Sequence, residues 1–542
     1  MVPFSHASAR TRVLHPIRAA ALVVTVLLCV MIGSASSARA LPVGCTASPG
    51  VNDRCPGQTF VFGSGQGGLI PINSAGMVGG LAHGGFGAGT LRSATGTAFQ
   101  TVQIGPAVTR GWTQQYAPQG RVAYASGVVS RPSGSMVFVV GSSYAASALG
   151  LPADVRGEVV AYRGQDGRPV WTASVAAPRP DEEAGIASAA ITPDGRTLIV
   201  GEQLTNPAGL SRFQIAALDT VAGRTLWKIV YGTGLTGGLL RTVAADARRV
   251  YLTGATCSGI GVTDSYCPSV DVTAAFDLRS GARIWATTHT PAGKGGLGWG
   301  GGLRLEPDGH RVFVSTNDCG SYDQTSGCTD ATIDTIAYDP AGGRQLWLAA
   351  YHQPGGAEMS TLAVDPRSHA VYVSGGSCTQ VVKSQCATSA ITTLAYDSAS
   401  GGARWAATLG NHLSTFGETL AVSPDGTRIF AVGITGTLTS GETVSTGGPA
   451  QDSSYFLGIG DLVTVAYDAA GKQQWSALFN SGTDRPGADP TGPPVPEWDF
   501  PSGAAVSADG RYLAIEATFV HDKAPGVGGV PYDLAVVGYP AT

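Results

Sequence analysis

Residues 272–285 of the chain read VTAAFDLRSGARIW, and near-copies of this stretch recur along the sequence. Each copy has small or apolar residues followed by an acidic turn residue, a Gly and a Trp. Such apolar runs predict a strand, while Asp and Gly favour the tight turn after it. The Trp opens the returning strand, and we expect its large apolar surface to pack between neighbouring repeats. Further copies, the first of them weaker, are Ala161–Trp171, Ala217–Trp227, Ala337–Trp347, Ala395–Trp405 and Ala466–Trp475.

A second signature precedes most copies: an apolar strand, a Pro-Asp-Gly-like turn and another apolar strand. Ala189–Gly201, which reads AAITPDGRTLIVG, is the clearest example. Similar stretches lie at 128–141, 242–254, 303–315, 362–375, 420–433 and 504–517. The two signatures together predict four short antiparallel strands per repeat, and such repeats are typical of a β-propeller.

The two ends of the repeat region complement each other. The final strand, 533–540, resembles 461–468 but lacks the turn and the Trp that follow it, whereas Trp112–Tyr116 is a tryptophan strand without a preceding hairpin. We therefore predict an all-β, seven-bladed β-propeller of four-stranded antiparallel blades over residues 106–542, closed by pairing of the N- and C-terminal strands. Residues 41–105 are predicted to be a Gly-rich N-terminal lead-in with a short β-like stretch at 59–63.

The first 40 residues have the pattern of a signal peptide. Three arginines precede an apolar run at 19–32, and Ala38-Arg39-Ala40 has the form of a cleavage site. The apolar run is shorter than the roughly 20 residues that span a membrane. We expect a secreted, extracellular chain, a monomer without a transmembrane anchor.

The cysteines agree with export. Eight of the nine follow the signal peptide and form close pairs. Such pairs predict local disulfides in a secreted protein, whereas metal ligation is disfavoured because no Cys-x-x-Cys spacing occurs. The predicted disulfides are Cys45–Cys55, Cys257–Cys267, Cys319–Cys328 and Cys378–Cys386.

Charge argues against nucleic acid as a partner. Once the four leader arginines are removed from the 34 Lys and Arg, 30 basic residues stand against 38 acidic ones, a net charge of −8. A nucleic-acid-binding domain normally has a basic face, and the sequence contains no run of Lys and Arg.

The pattern A-[YFL]-D-x-x-x-G-x-x-x-W resembles the tryptophan-docking repeat of quinoprotein-like propellers, a superfamily that includes pyrroloquinoline quinone (PQQ) dehydrogenases and cofactor-free relatives. The Pro-Asp-Gly strands also resemble YVTN-type surface repeats. The PQQ alcohol dehydrogenases of that superfamily have eight blades, adjacent cysteines against the cofactor and a calcium site. This chain has seven recognisable repeats and no adjacent cysteines. We therefore expect no cofactor, with PQQ and calcium as the alternative.

A ligand site is predicted where the variable loops between blade strands share one face. Aromatic and carboxylate side chains at the channel mouth on that face can bind a sugar or a peptide, and paired carboxylates can hydrolyse a glycosidic bond. Solvated loop residues are the ordinary alternative. The candidates are Glu183, Trp299, Glu358, Glu418, Trp498 and Asp499.

His289, His352 and His412 follow tryptophan strands and could meet at a metal, although their spacing favours ordinary surface histidines. We assign no catalytic residue and no metal. The predicted function is an extracytoplasmic binding scaffold for a protein, peptide or carbohydrate at the loop face. The alternatives are a carbohydrate-active hydrolase or lyase, or a PQQ-type oxidoreductase.

Overall fold

The computed structural model describes the repeat region of the chain with gaps in its loops. The described ranges are 58–62, 77–81, 84–93, 96–146, 152–207, 211–232, 238–257, 269–290, 297–298, 301–319, 322–323, 327–328, 331–365, 367, 369–382, 385–412, 415–438, 458–479, 499–520 and 532–541. The predicted signal peptide and the pair Cys45–Cys55 lie outside these ranges.

The described residues form 35 strands and one short 3-10 helix, η1 (Pro106–Val108). In chain order the strands are β1 (Gln58–Phe62), β2 (Met77–Leu81), β3 (Gly84–Ser93), β4 (Gly96–Gly105), β5 (Thr109–Tyr116), β6 (Val122–Ser130), β7 (Met136–Ala146), β8 (Pro152–Arg163), β9 (Pro169–Val175), β10 (Glu183–Ile191), β11 (Thr197–Thr205), β12 (Ser211–Asp219), β13 (Thr225–Tyr231), β14 (Gly238–Ala245), β15 (Arg249–Cys257), β16 (Ser269–Asp277), β17 (Arg283–His289), β18 (Leu297–Gly298), β19 (Leu303–Leu305), β20 (Val312–Cys319), β21 (Tyr322–Asp323), β22 (Gly327–Cys328), β23 (Ala331–Tyr338), β24 (Gln345–His352), β25 (Ala357–Asp365), β26 (Ala370–Val382), β27 (Gln385–Asp397), β28 (Ala403–His412), β29 (Thr415–Val422), β30 (Arg428–Leu438), β31 (Gly458–Asp468), β32 (Gln473–Phe479), β33 (Asp499–Val506), β34 (Tyr512–Val520) and β35 (Tyr532–Pro540).

These strands build an eight-bladed β-propeller of four-stranded antiparallel blades. Blades 1 to 3 are β2–β5, β6–β9 and β10–β13, blade 4 is β14–β17, and blade 5 contains β19, β20, β23 and β24. Blades 6 and 7 are β25–β28 and β29–β32, and blade 8 consists of β33, β34, β35 and β1. The first strand of each blade contacts the first strand of the next, and β33 contacts β2. The eight first strands therefore form a closed inner ring around a central channel.

The prediction of seven blades is wrong, because blade 1 is built from residues 77–116. Most of this segment was expected to be a lead-in outside the ring. Blade 1 lacks the Asp-Gly turn of the other repeats: η1 joins β4 to β5, with positive φ at Ala107 and Val108. Its outer strand, β5, carries Trp112 and is not the closing strand.

The strand that closes the ring is β1. It pairs antiparallel with β35, with Phe60 opposite Val536, and so becomes the fourth strand of blade 8. The expectation that Trp112–Tyr116 fills this place is therefore wrong. Closure removes an exposed sheet edge at β35, which would otherwise offer unpaired backbone groups.

The repeated Trp packs between blades, as predicted. Trp285 of blade 4 donates its indole Nε1–H to the carbonyl of Pro340 in blade 5, at 2.8 Å. Gly343 of the same turn has φ +71°, and a Cβ there would lie 2.5 Å from Trp285 Cε3. Only Gly gives both the left-handed backbone and the space for the indole. Equivalent hydrogen bonds join Trp112 to Gly164, Trp171 to Thr220, Trp227 to Leu278, Trp347 to Ser398 and Trp405 to Ala469.

Tight turns lie at one end of each blade, which we call the turn face, and the longer connections lie at the other end, the loop face. The predicted disulfide Cys378–Cys386 is confirmed and joins β26 to β27 near the loop face. Cys319 is also disulfide-bonded. The remaining predicted pairs include side chains outside the described residues. In the described part of the chain, no helix has the length and apolar character to cross a membrane.

Candidate functional site

The inner strands carry a β-bulge at the same place in most blades. Each bulge lies about four residues before the turn face, and it breaks the pairing between the first and second strands. A bulge bends the strand and redirects a side chain, which is why bulges are common beside functional sites. The bulged residues are Ser126, Ala187, Arg241, Ser360, Glu418 and Ser502.

Two arginines lie on the inner strands of neighbouring blades. Arg241 is the bulged residue of β14, and Arg304 is the middle residue of β19. Both are exposed to solvent, yet burial lowers the pKa of both guanidinium groups, a shift that the charge of Asp271 opposes at Arg241. Both side chains are accessible to water, and yet protein surrounds them on most sides. We infer that they face the central channel rather than the outer surface.

The channel arginines have little internal compensation. Within the described residues, Arg304 forms no ion pair, and its guanidinium donates to the Leu303 carbonyl at 2.9 Å. Arg241 likewise forms no ion pair there and only experiences the charge of Asp271. A cation that has lost part of its hydration and has no carboxylate partner is energetically costly. This side of the channel therefore favours the binding of an anion.

The predicted carboxylates lie in the loop-face halves of inner strands. Glu183 begins β10 in blade 3 and is half-buried, whereas Glu418 is exposed at the bulge of β29 in blade 7. These two blades are on opposite sides of an eight-bladed ring. Glu358 of β25 and Asp499 of β33 occupy blades 6 and 8, with side chains outside the described residues. Trp299 and Trp498 also lie outside the described residues, so the role of all six as ligand contacts stays a prediction.

A second cluster of titratable groups lies between blades 4 and 5. His289 ends β17, while Asp318 and Asp334 lie near the loop-face ends of β20 and β23. The Nε2 atom of His289 is 3.1 Å from Asp318 Oδ2 and 3.3 Å from Asp334 Oδ2. The three side chains are 13 %, 6 % and 7 % exposed, respectively. The imidazole therefore bridges two nearly buried carboxylates.

In this cluster, a protonated His289 is stabilised by both Asp318 and Asp334. Burial alone lowers the pKa of His289, but the hydrogen bonds and charges of Asp318 and Asp334 outweigh it and raise the pKa to about 10. Burial and the nearby Asp334 carboxylate raise the pKa of Asp318, while His289 opposes that shift. Two close carboxylates in a low-dielectric place are both ionised only with a cation between them, and otherwise one of them holds a proton.

The backbone around the cluster differs from that of the other described seams. Strand β18 pairs with both β16 and β20, so blades 4 and 5 form one continuous sheet. Gly298 of β18 is the pairing partner of Asp318. On the other side, Thr332 donates its hydroxyl to Asp334 Oδ1 at 3.4 Å. Both carboxylates are thus positioned by regular strands, which are more rigid than loops.

A further group, Glu306, Asp308 and His369, lies at the turn face. Both oxygens of Glu306 already accept hydrogen bonds, from Arg311 and Ser398, each at 2.7 Å. Asp308 is paired with His310 at 3.1 Å. These partners satisfy the carboxylates without any added ion.

Four of the five residues that distinguish the channel and the seam were not singled out by the sequence. The sequence did single out His289, but it grouped this residue with His352 and His412 rather than with aspartates. The signal that would have found the others is a charge at an inner or middle strand position where other repeats have small or neutral residues. Arg241, Arg304, Asp318 and Asp334 all fit that description.

The chain lacks the cysteine pattern that the PQQ alcohol dehydrogenases have, and the absence of a cofactor stays a prediction. The chain has no adjacent cysteines. The disulfide Cys378–Cys386 spans eight residues and joins β26 to β27, behind the inner strand β25 and away from the channel.

The chain matches no protein family model, and no curated protein matches it in sequence. Solved structures with a similar fold include the quinohemoprotein alcohol dehydrogenase from Comamonas testosteroni, with 13% identity and a TM-score of 0.43 over 87% of this chain and 76% of that one. U3-55K has 9% identity and a TM-score of 0.40 over 78% and 97% of the two chains. A structure described as a 6-phosphogluconolactonase from Bacteroides uniformis has 14% identity and a TM-score of 0.38 over 75% and 98%. Likenesses at this level do not bear on activity, and the blades themselves establish the β-propeller.

Proposed function

We propose that this protein is a secreted ligand-binding scaffold whose central channel takes a small anionic ligand, one with carboxylate or phosphate groups. The observation that carries the proposal is the pair Arg241 and Arg304 on neighbouring inner strands, exposed in the channel and without ion-pair partners in the described residues. Guanidinium groups bind carboxylate and phosphate through paired N–H donors. The signal-peptide pattern and the disulfides support an extracellular place of action.

The distribution of charge around the ring agrees with this ligand class. The arginines belong to blades 4 and 5, whereas the carboxylate positions of the inner strands belong to blades 3, 6, 7 and 8. Small or apolar side chains predominate at the described inner-strand positions between them. An anion inside the channel therefore meets a cationic wall on the side of blades 4 and 5, and this fixes its orientation.

The test is a thermal-shift screen of the purified protein against citrate, glucuronate, glucose 6-phosphate and sulfate, with glucose as the neutral comparison. A ligand that binds only the folded state stabilises it by about 2.7 kcal/mol at one hundred times its dissociation constant. We expect an anion from the panel to raise the melting temperature, and Arg241→Gln and Arg304→Gln to reduce its affinity at least tenfold.

Arg224→Gln is the matched control, because the Arg224 side chain is 81 % exposed in the turn just before the outer strand β13. It should leave binding unchanged. If no anion binds, or if the three variants bind alike, the channel arginines do not form the ligand site.

A further inference from the structure

The seam between blades 4 and 5 contains more negative charge than its protein partners neutralise. Asp318 is 5 % exposed, and its Oδ1 atom has no hydrogen-bond partner among the described residues. Its Oδ2 atom shares the single Nε2–H of His289 with Asp334. Asp271, in the same seam, accepts a hydrogen bond from the hydroxyl of Thr316 and interacts electrostatically with Arg241. A buried carboxylate oxygen without a donor is costly, and its position marks a place for a cation.

The distances from His289 to the two carboxylates match the spacing of ligands around one metal ion. Nitrogen and oxygen ligands lie roughly 2.0–2.2 Å from Zn²⁺, so two ligands of one ion are separated by about 3.0–3.5 Å. The distances from His289 Nε2 to the two Oδ2 atoms, 3.1 and 3.3 Å, fall in this range. All three ligand atoms lie within 4.8 Å of one another. An ion between them would replace the shared proton without displacing the strands.

The three side chains are held in this arrangement from several directions. The bridge of β18 fixes the backbone at Asp318, and the hydroxyl of Thr332 orients Asp334. Outer contacts of this kind orient the ligands of protein metal sites. His289, whose side chain is 13 % exposed, is the most exposed of the three.

We propose that His289, Asp318 and Asp334 form a binding site for one divalent transition-metal ion of the Zn²⁺ class, with a remaining coordination position open to water or to a ligand's donor atom. One imidazole and two carboxylates are a ligand set that Zn²⁺ accepts, and three protein ligands with an open position are typical of non-structural zinc sites. This site is separate from the channel arginines and does not depend on the proposed anion ligand.

The first experiment measures metal binding by the purified protein after treatment with a chelator. Zn²⁺ affinity is measured by competition with a chromophoric chelator, and stoichiometry by equilibrium dialysis and elemental analysis. We expect one Zn²⁺ per chain. Co²⁺ should bind at the same place and give visible absorption, which reports directly on nitrogen and oxygen ligation in the folded wild-type protein.

Variants locate the ion. His289→Gln and Asp334→Asn should each reduce Zn²⁺ affinity more than a hundredfold and remove the Co²⁺ absorption, because changes in outer contacts alone already cost 10- to 100-fold. His369→Gln, in the exposed group at the turn face, is the matched control and should bind Zn²⁺ like the wild type.

Two results would overturn the proposal. One is wild-type protein that binds less than half an equivalent of Zn²⁺ at 10-fold excess and gives no Co²⁺ absorption. The other is Zn²⁺ binding that survives both ligand substitutions. Circular dichroism of each variant separates a lost ligand from a misfolded chain, and the wild-type result decides the proposal even if a variant does not fold.

Discussion

At the scale of single residues, the seams between blades hold buried carboxylates with very different environments. Glu158 accepts hydroxyl hydrogen bonds from Ser143 and Ser174, at 2.7 and 2.8 Å. Glu202 has one partner, Gln214, and its Oε1 atom has none among the described residues. Burial raises the pKa of Glu202 to about 8, against the opposing hydrogen bond of Gln214. Both groups are buried, and they differ in how many hydrogen bonds their oxygens accept.

The first prediction at this scale concerns the stability contributed by Glu202. Its folded pKa of about 8 lies above the ordinary value of 4.5, so the folded state holds the proton more tightly than the unfolded state. Stability is therefore greatest below about pH 4.5 and falls as the pH rises toward 8. Glu202→Gln removes this penalty. We expect the variant to gain up to about 4 kcal/mol over the wild type at pH 8 and less than about 1 kcal/mol at pH 5.

Thermal or urea unfolding of both proteins at the two pH values measures the difference. The matched control is Glu183→Gln, at the loop-face end of the same blade, where the side chain is only half-buried. A gain for Glu202→Gln that is equal at pH 5 and pH 8 would contradict the assignment of a buried proton to this carboxyl group.

Residues of this kind mark the limit of what the sequence predicts. His289 was recognisable because histidines are sparse and this one follows a tryptophan strand. Asp318 and Asp334 lie near the loop-face ends of strands that read VFVSTNDC and ATIDTIAY, and the apolar residues of these strands already account for the strand prediction. Their contact with His289 depends on how the end of blade 4 packs against blade 5. No local sequence pattern encodes the distance between these side chains.

At the scale of elements, the tight turn and the Trp of the preceding blade form one unit. Gly401 closes the turn between β27 and β28 with φ +72°, and a Cβ there would lie 2.6 Å from Trp347 Cδ2. Gly510, in the tight turn between β33 and β34, has nearly the same φ, +71°, with no atom within 4 Å of such a Cβ. The two positions therefore separate backbone strain from contact with the indole.

We expect Gly401→Ala to destabilise the protein more than Gly510→Ala. Both variants place a Cβ in the left-handed region, at a cost of about 1–2 kcal/mol. Only Gly401→Ala also pushes against Trp347, which adds about 1–3 kcal/mol of overpacking. The unfolding midpoints of the two variants in urea provide the measurement. Equal losses would mean that Trp347 moves aside freely and that the glycine serves the turn alone.

The prediction of seven blades was wrong by one: the repeat signatures located seven of the eight blades, because each of these contains the Gly-Trp unit or a turn like Pro-Asp-Gly. Blade 1 was not predicted because its turn before the tryptophan strand lacks the Asp and Gly residues of the repeat. Where the other blades have Asp and Gly, blade 1 has Gly105 followed by η1, and Ala107 supplies the positive φ. Turn chemistry is a signal only where the turn residues are the usual ones.

At the scale of the whole molecule, the ring depends on one short strand from the N-terminal region. β1 has five residues, all paired with β35, and Gln58 opposite Gly538 begins the register. Without β1, blade 8 would end at β35 and expose a row of unpaired backbone groups. An open propeller also leaves blade 8 with fewer neighbours, and stability in repeat proteins depends on contacts between adjacent units. The sequence predicted closure by complementary ends, but it assigned the wrong strand, since Trp112 is the more conspicuous signal.

The last prediction tests this closure with two truncations. A chain that begins at Gly57 loses both Cys45 and Cys55 but keeps β1, whereas a chain that begins at Gly63 also loses β1. We expect the first to unfold like the longer protein. The second should melt at lower temperature, unfold less cooperatively and form aggregates through the free edge of β35. Calorimetry and size-exclusion chromatography with light scattering measure these properties. If both truncated chains melt alike and stay monomeric, the pairing of β1 with β35 does not hold the ring closed, and the contact between β33 and β2 is sufficient.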